Sequence, residues 1–170
     1  MNSAIFPILT TERLTLRRLS INDKDDILAL RSDVEINKYL GRQLSKTTED
    51  ALNFINKVND NIEKNIAFYW TITLTNTKTV VGTICLFDFS ENSCEIGYEL
   101  MNQFQRQGIM KEAVQAVIDY TFQTLKVKKI LAFTHYENQN STKLLTKFNF
   151  VKSKDPDKEN PNLNIFTLTQ

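Results

Sequence analysis

One mixed α/β domain on a mostly antiparallel sheet is what this sequence predicts, and three observations carry that reading. Segments of apolar–polar alternation recur along the chain, as half-buried strands require. Between them lie stripes of apolar residues at three- and four-residue spacing, as amphipathic helices require. The 170 residues suffice for one real core and are short for two.

Taken in order, Thr11 to Arg17 alternates and predicts the first strand. Ser20 to Asp26 supplies capping residues ahead of a short helix through Ile27, Leu28 and Leu30. Thr47-Thr48-Glu49-Asp50 opens a second helix with Ala51, Ile55, Val58 and Ile62 on its apolar stripe. Phe68, Trp70, Ile72 and Leu74 alternate with Tyr69, Thr71 and Thr73, a strand rich in aromatic and β-branched residues. Asn76-Thr77-Lys78 turns it into a hairpin partner at Val80 to Phe87, and Asp88 to Asn92 turns again into a strand at Glu95 to Leu100. There Ile96, Tyr98 and Leu100 share one face, and Glu95 and Glu99 the other. Val114, Val117, Ile118, Phe122 and Leu125 form one helical stripe. A strand at Ile130 to His135, a short helix carrying Leu144, Leu145 and Phe148, an exposed loop from Lys154 to Asn162 and a last strand at Ile165 to Leu168 complete the domain.

Composition excludes several functions. A formal net charge of +1 leaves no basic footprint for nucleic acid. No apolar run approaches the roughly 20 residues of a membrane span. The first residues lack the basic and apolar regions of a secretory leader. Cys85 and Cys94 both fall in strands and read as buried, reduced thiols. These features together predict a cytoplasmic protein. No His/Cys cluster suits a metal, so no metal is expected. No glycine-lysine-serine/threonine phosphate loop occurs. His135, the single histidine, has a structural or surface setting rather than that of a triad.

The stretch with most chemical content is Gln105-Arg106-Gln107-Gly108-Ile109-Met110-Lys111, between the Glu95 strand and the following helix. The first N–H groups of a helix lack intrahelical partners and carry the positive end of its dipole, so a strand–turn–helix junction can hold an anion. Gly108 permits close backbone approach, and Arg106 and Lys111 add positive charge. An ordinary α/β connection is the alternative reading.

Together with Glu95-Ile96-Gly97-Tyr98-Glu99-Leu100 before it, this turn resembles the acetyl-CoA-binding motif of the GCN5-related N-acetyltransferases, Gln/Arg-any-any-Gly-any-Gly/Ala. Asn138-Gln139-Asn140-Ser141, with the leucines and Phe148-Asn149-Phe150 after it, is similar to that family's second signature. The opening Thr11-Glu12-Arg13-Leu14-Thr15-Leu16-Arg17 resembles the branch of the ribosomal-protein serine and alanine N-terminal acetyltransferases. The likeness spans residues 10 to 169 in matching order.

The resemblance implies a sheet of about seven strands and about four helices, with two strands splayed to form the cofactor cleft. It implies acetyl-CoA as cosubstrate, its pyrophosphate on the backbone of Gln105, Arg106, Gln107, Gly108, Ile109, Met110 and Lys111. Its pantetheine arm lies along a bulged strand at Tyr98, Glu99 and Leu100, with Asn138 on the opposite wall. An amine attacks the thioester directly. Ser141 is the implied partner of the departing thiolate, or alternatively an N-cap of its helix. Glu95 and Glu99 are the candidate bases, or alternatively exposed strand carboxylates; Tyr136 and His135 rank below them.

Four residues depart from the pattern. Met110 replaces Gly or Ala, Arg106 and Asn149 each replace Gly, and Leu145 stands where many relatives carry a tyrosine acid. The implied acceptor is a protein or peptide N-terminal Ser or Ala. The alternatives are a small amine (polyamine, amino sugar or antibiotic) and a catalytically weak acyl-CoA-binding domain. Residues 36–62 and the 154–164 loop border the implied acceptor site. Monomer and homodimer stay equally open.

Overall fold

The computed structural model describes residues 5–170; the reading of the leader region at Met1 to Ala4 lies outside them. Eight strands form one sheet in the order β1-β2-β3-β4-β5-β6-β8-β7. They are β1 (Leu9–Thr10), β2 (Leu14–Arg18), β3 (Phe68–Leu74), β4 (Val80–Phe87), β5 (Ser93–Leu100), β6 (Lys129–His135), β7 (Val151–Lys152) and β8 (Leu163–Thr169). All neighbours pair antiparallel except β5 and β6. The five α-helices among the described residues are α1 (Lys24–Ser32), α2 (Val34–Asn37), α3 (Thr48–Glu63), α4 (Ile109–Asp119) and α5 (Gln139–Lys147).

Each face of the sheet buries one core. Leu14, Leu16, Trp70, Ile72, Ile84 and Ile96 pack against α4 and α5 through Val114, Val117 and Leu145. Leu19 and Val80 pack against α1 and α3 through Ile27, Leu30, Ile55 and Val58. At about 1.5–3 kcal/mol per fully buried large apolar side chain, these layers are the main source of stability. Trp70 is fully buried, and its indole N–H donates to the Pro7 carbonyl at 2.9 Å, so no polar atom is stranded. Helix α3 starts as its sequence predicts. Thr47 Oγ1 accepts from Asp50 N at 3.1 Å, and the Asp50 carboxylate accepts from Thr47 N at 3.0 Å.

The structure corrects the sequence expectations at five places. The strand expected from Thr11 begins at Leu14, as β2, because Thr11 Oγ1 accepts from Leu14 N and turns the chain. Two-residue strands β1 and β7 and the four-residue α2 are too short to show periodicity. The long helix leaves α geometry at Tyr120 and ends as a π turn over Tyr120–Thr124. Thr121 Oγ1 donates to Val117 O at 2.7 Å where this happens. Helix α5 begins at Gln139, earlier than the apolar stripe indicates. Finally, β5 carries no bulge. Its register to β4 runs unbroken from Phe87↔Glu95 to Gly82↔Leu100, and the irregularity lies between β3 and β4 at Ile72/Thr73.

What positions the site is the parting of β5 from β6. They pair only at Ser93↔Lys129, Cys94↔Ile130 and Glu95↔Leu131. Beyond Glu95 the two strands separate, and among the described residues the β6-facing edge of Ile96–Leu100 has no partner in the sheet. Gly82, opposite Leu100, keeps β4 and β5 close at this point: a Cβ there would stand 2.3 Å from the Glu99 carbonyl oxygen.

Candidate active site

A cleft of about 580 Å³ opens where β5 and β6 part. Tyr98, Glu99 and Leu100 line it from the strand, Gln105, Arg106, Gly108, Ile109, Met110 and Lys111 from the turn and α4, and Asn138 and Ser141 from α5. The two sequence motifs, some 30 residues apart, thus form one cavity. A larger depression of about 790 Å³ lies between β1 and the outer side of α4; it shares Gly108 and Lys111 with the turn, but Tyr98, Glu99, Leu100, Asn138 and Ser141 do not line it.

The turn is rigidly built. Gly108 has φ +74° and serves as N-cap of α4. Its absent Cβ would meet nothing nearer than Arg13 Nη2 at 3.5 Å, so backbone conformation rather than space selects glycine here. Arg106 is also left-handed, at φ +63°, which accounts for the glycine commonly expected at that position. Arg13, part of the opening segment but given no site role by the sequence, holds the turn from behind. Its guanidinium donates to Gln107 O at 3.0 Å and pairs with Glu112 at 2.7 Å. Burial would raise the Glu112 carboxyl, but the Thr11 hydroxyl and Arg13 outweigh it and hold the group below its ordinary value. Gln107 is not among the residues lining the cleft, and its carbonyl faces Arg13. Gln105 Nε2 donates to Leu100 O at 3.1 Å, tying the turn to the end of β5.

On the opposite wall, Asn138 rather than Ser141 is the N-cap of α5, correcting the capping alternative for Ser141. Asn138 Oδ1 accepts from Ser141 N at 3.3 Å, leaving its NH2 as the part of the side chain free of that cap. Ser141 sits in the first turn, and its hydroxyl is 2.9 Å from that of Tyr98. Leu145 is buried in the core at 1% exposure, away from the cleft.

The two carboxylates on the other face of β5 differ sharply. Glu99 is buried, correcting the exposed alternative. One oxygen is bound by the Arg42 guanidinium and the other accepts from Thr83 Oγ1 at 3.2 Å. Arg42 Nε also donates to Asn37 Oδ1 at 2.7 Å, so the chain between α2 and α3 is clamped to the end of β5. Glu95 lies outside the cleft lining, where β5 and β6 still pair, and is half-buried. Burial first, and then Asp88 and Asp157, push its carboxyl up to about 7.

The sign of that shift yields a prediction. A carboxyl raised in the folded state binds its proton more tightly than in the unfolded chain, whose glutamates titrate near 4.3. Stability therefore falls as pH rises from about 4 to about 7. Glu95→Gln removes this loss. In thermal unfolding the variant will exceed the parent at pH 8 and match it at pH 4; equal differences at both values would contradict the assignment.

His135 ends β6, stacked on Tyr39 and Tyr136 with ring centroids 5.0 and 4.7 Å away. Cys85 and Cys94 are free thiols, and burial pushes both up to about 12. No helix among the described residues is long and apolar enough to cross a membrane.

An open sheet that parts beside a glycine-capped helix, with a second helix start on the facing wall, is the arrangement of an N-acetyltransferase domain. The chain matches the acetyltransferase (GNAT) domain over residues 13–151 and belongs to that family. It is 31% identical over 150 residues to the uncharacterised N-acetyltransferase YoaA of Bacillus subtilis, covering 87% of this chain and 85% of that one. Its fold is similar to that of RimL, a ribosomal-protein alpha-N-acetyltransferase in complex with coenzyme A. The TM-score is 0.86 at 17% identity, over 96% of this chain and 98% of that one. It is also similar to the spermidine N-acetyltransferase of Vibrio cholerae in complex with coenzyme A and spermine. Here the TM-score is 0.81 at 20% identity, over 94% and 97% of the two chains.

Proposed function

We propose that this N-acetyltransferase uses acetyl-CoA and acetylates a primary amine by direct attack, the acceptor being a peptide or protein N-terminus with Ser or Ala first. The observation that carries the cofactor half is the unpaired edge of Ile96–Leu100 meeting the unpartnered N–H groups at the start of α4. The edge offers strand-type hydrogen bonds to an arm that carries amides, and the helix start offers donors and dipole to a pyrophosphate. Arg106 and Lys111 add charge at the same end of the cleft.

Acetyl-CoA supplies the activated acetyl thioester. The chain then has three tasks: to align the amine, to take its proton, and to hydrogen-bond the sulfur as the C–S bond breaks and the N–C bond forms. Ser141 suits the last, from the wall facing β5. Glu95, raised to about 7, suits proton uptake through water near neutral pH, because it exchanges a proton readily there. Glu99, with both oxygens engaged, suits shaping of the acceptor side through Arg42.

The acceptor reading is supported by the likeness of the opening segment to the ribosomal-protein branch and by the fold likeness to RimL. A polyamine acceptor is the second reading. It is favoured by the carboxylates of Asp88 and Asp157, which act on Glu95, and by the fold likeness to the spermidine enzyme. Free-thiol release from acetyl-CoA, measured with Ser-, Ala- and Met-initiated peptides, polyamines, amino sugars and free amino acids, separates the two. Turnover confined to Ser and Ala peptides supports the first reading, and turnover confined to polyamines replaces it. Silence across the panel with acetyl-CoA bound favours a weak acyl-CoA-binding domain.

A further inference from the structure

We infer that Tyr98 is a positioning residue for the leaving group: its phenol donates to Ser141 Oγ and so turns the single hydrogen of Ser141 toward the departing sulfur. This rests on the cofactor-cleft reading above and assigns Tyr98 a side-chain role beyond the main-chain contacts of its strand. The two hydroxyl oxygens are 2.9 Å apart across the cleft, and both residues line it. The pair bridges β5 and α5 at the wall of the cleft in which a thioester would lie.

A serine hydroxyl has one hydrogen and two acceptor sites. If Ser141 donated to Tyr98, nothing would remain for a sulfur anion. A phenol is the more acidic of the two hydroxyls and therefore the better donor. Burial pushes Tyr98 up to about 12, so it keeps its proton throughout the neutral range and remains a donor. The Ser141 N–H is already engaged by Asn138, which fixes the residue's backbone and leaves only the hydroxyl to respond. Leu145, one turn further along α5, offers no hydroxyl to the cleft, since it is apolar and buried.

The test is the titration of the thiol of bound coenzyme A, followed by thiolate ultraviolet absorbance against the same protein without ligand. It needs no acceptor, and it compares proteins that share every lysine, arginine and carboxylate of the cleft. The parent will hold the thiol below its value in free coenzyme A. Tyr98→Phe, which keeps the ring and its packing, will raise it by about 1 unit, as expected when a hydrogen bond to the anion is weakened. Ser141→Ala will raise it at least as much, and the double variant no further than Ser141→Ala alone, because Tyr98 acts only through Ser141. With an active acceptor, Tyr98→Phe will lower kcat roughly 10-fold and leave the KM for acetyl-CoA unchanged, as expected for an interaction realised in the transition state. A Tyr98→Phe titration identical to the parent's overturns the inference, as does a double variant whose two shifts simply add. Failure of the parent to bind coenzyme A overturns the cofactor-cleft reading itself; binding with an unshifted thiol overturns only the role given to Tyr98.

Discussion

Gly108→Val will weaken coenzyme A binding roughly 10- to 100-fold, measured by calorimetry. The cause is conformational. At φ +74° a β-branched side chain is strained by about 1–3 kcal/mol, while the site has room for a first carbon. Relieving the strain requires the turn to leave the left-handed region, which redirects the N–H groups of Gly108 and Ile109. Since 1.4 kcal/mol is tenfold in affinity, the strain alone accounts for the range. Gly108→Ala places one carbon in the same space without β-branching and will fall between parent and valine. An unchanged affinity for Gly108→Val would refute the turn as the pyrophosphate site. Arg13, through Gln107 O and Glu112, resists any such rearrangement, so the turn is held in shape before a ligand arrives.

Ser141→Ala will lower turnover roughly 100-fold and leave acetyl-CoA affinity within a factor of about two, the range for removing one donor to a developing negative charge. The cap and the proposed thiolate partner are different residues here, which makes the comparison clean. Asn138 is the cap, so Asn138→Ala will cost about 1 kcal/mol of stability. Ser141→Ala will leave thermal unfolding nearly unchanged. If instead Ser141→Ala lowers the unfolding temperature and spares turnover, its hydroxyl matters for packing with Tyr98 and the proposed role fails.

Arg42 and Glu99 form a pair that no local pattern records. A carboxylate near the end of a strand fits a base or a solvated face equally well in sequence. In the fold Glu99 is buried, and breaking such a pair from one side leaves an uncompensated charge, which costs more than the pair itself contributes. Arg31 lies close enough to Arg42 to feel its charge, and burial together with that repulsion depresses its guanidinium. It rests 3.8 Å over the Phe54 ring, which holds it beside a second cation. The Glu99 face of β5 thus carries a desolvated, clamped network.

Local periodicity determined most of the elements. The alternation of Phe68 to Leu74 and the stripes of α3 and α4 record which atoms each residue must remove from water, and that information is local. Capping was legible for the same reason at Thr47 and Asp50, because the partners lie three residues apart. The family resemblance also singled out the turn and the start of α5, which line one cleft. Long-range pairing decided what no local pattern records. Tertiary structure made Asn138 rather than Ser141 the cap, placed Arg13 behind the turn some 95 residues away in sequence, and set Arg42 against Glu99. It also put the Tyr98 phenol on Ser141 by parting β5 from β6 after Glu95. Hydrogen bonds and ion pairs act over about 3 Å, and only the packing of the sheet on its helices brings such distant residues within that range.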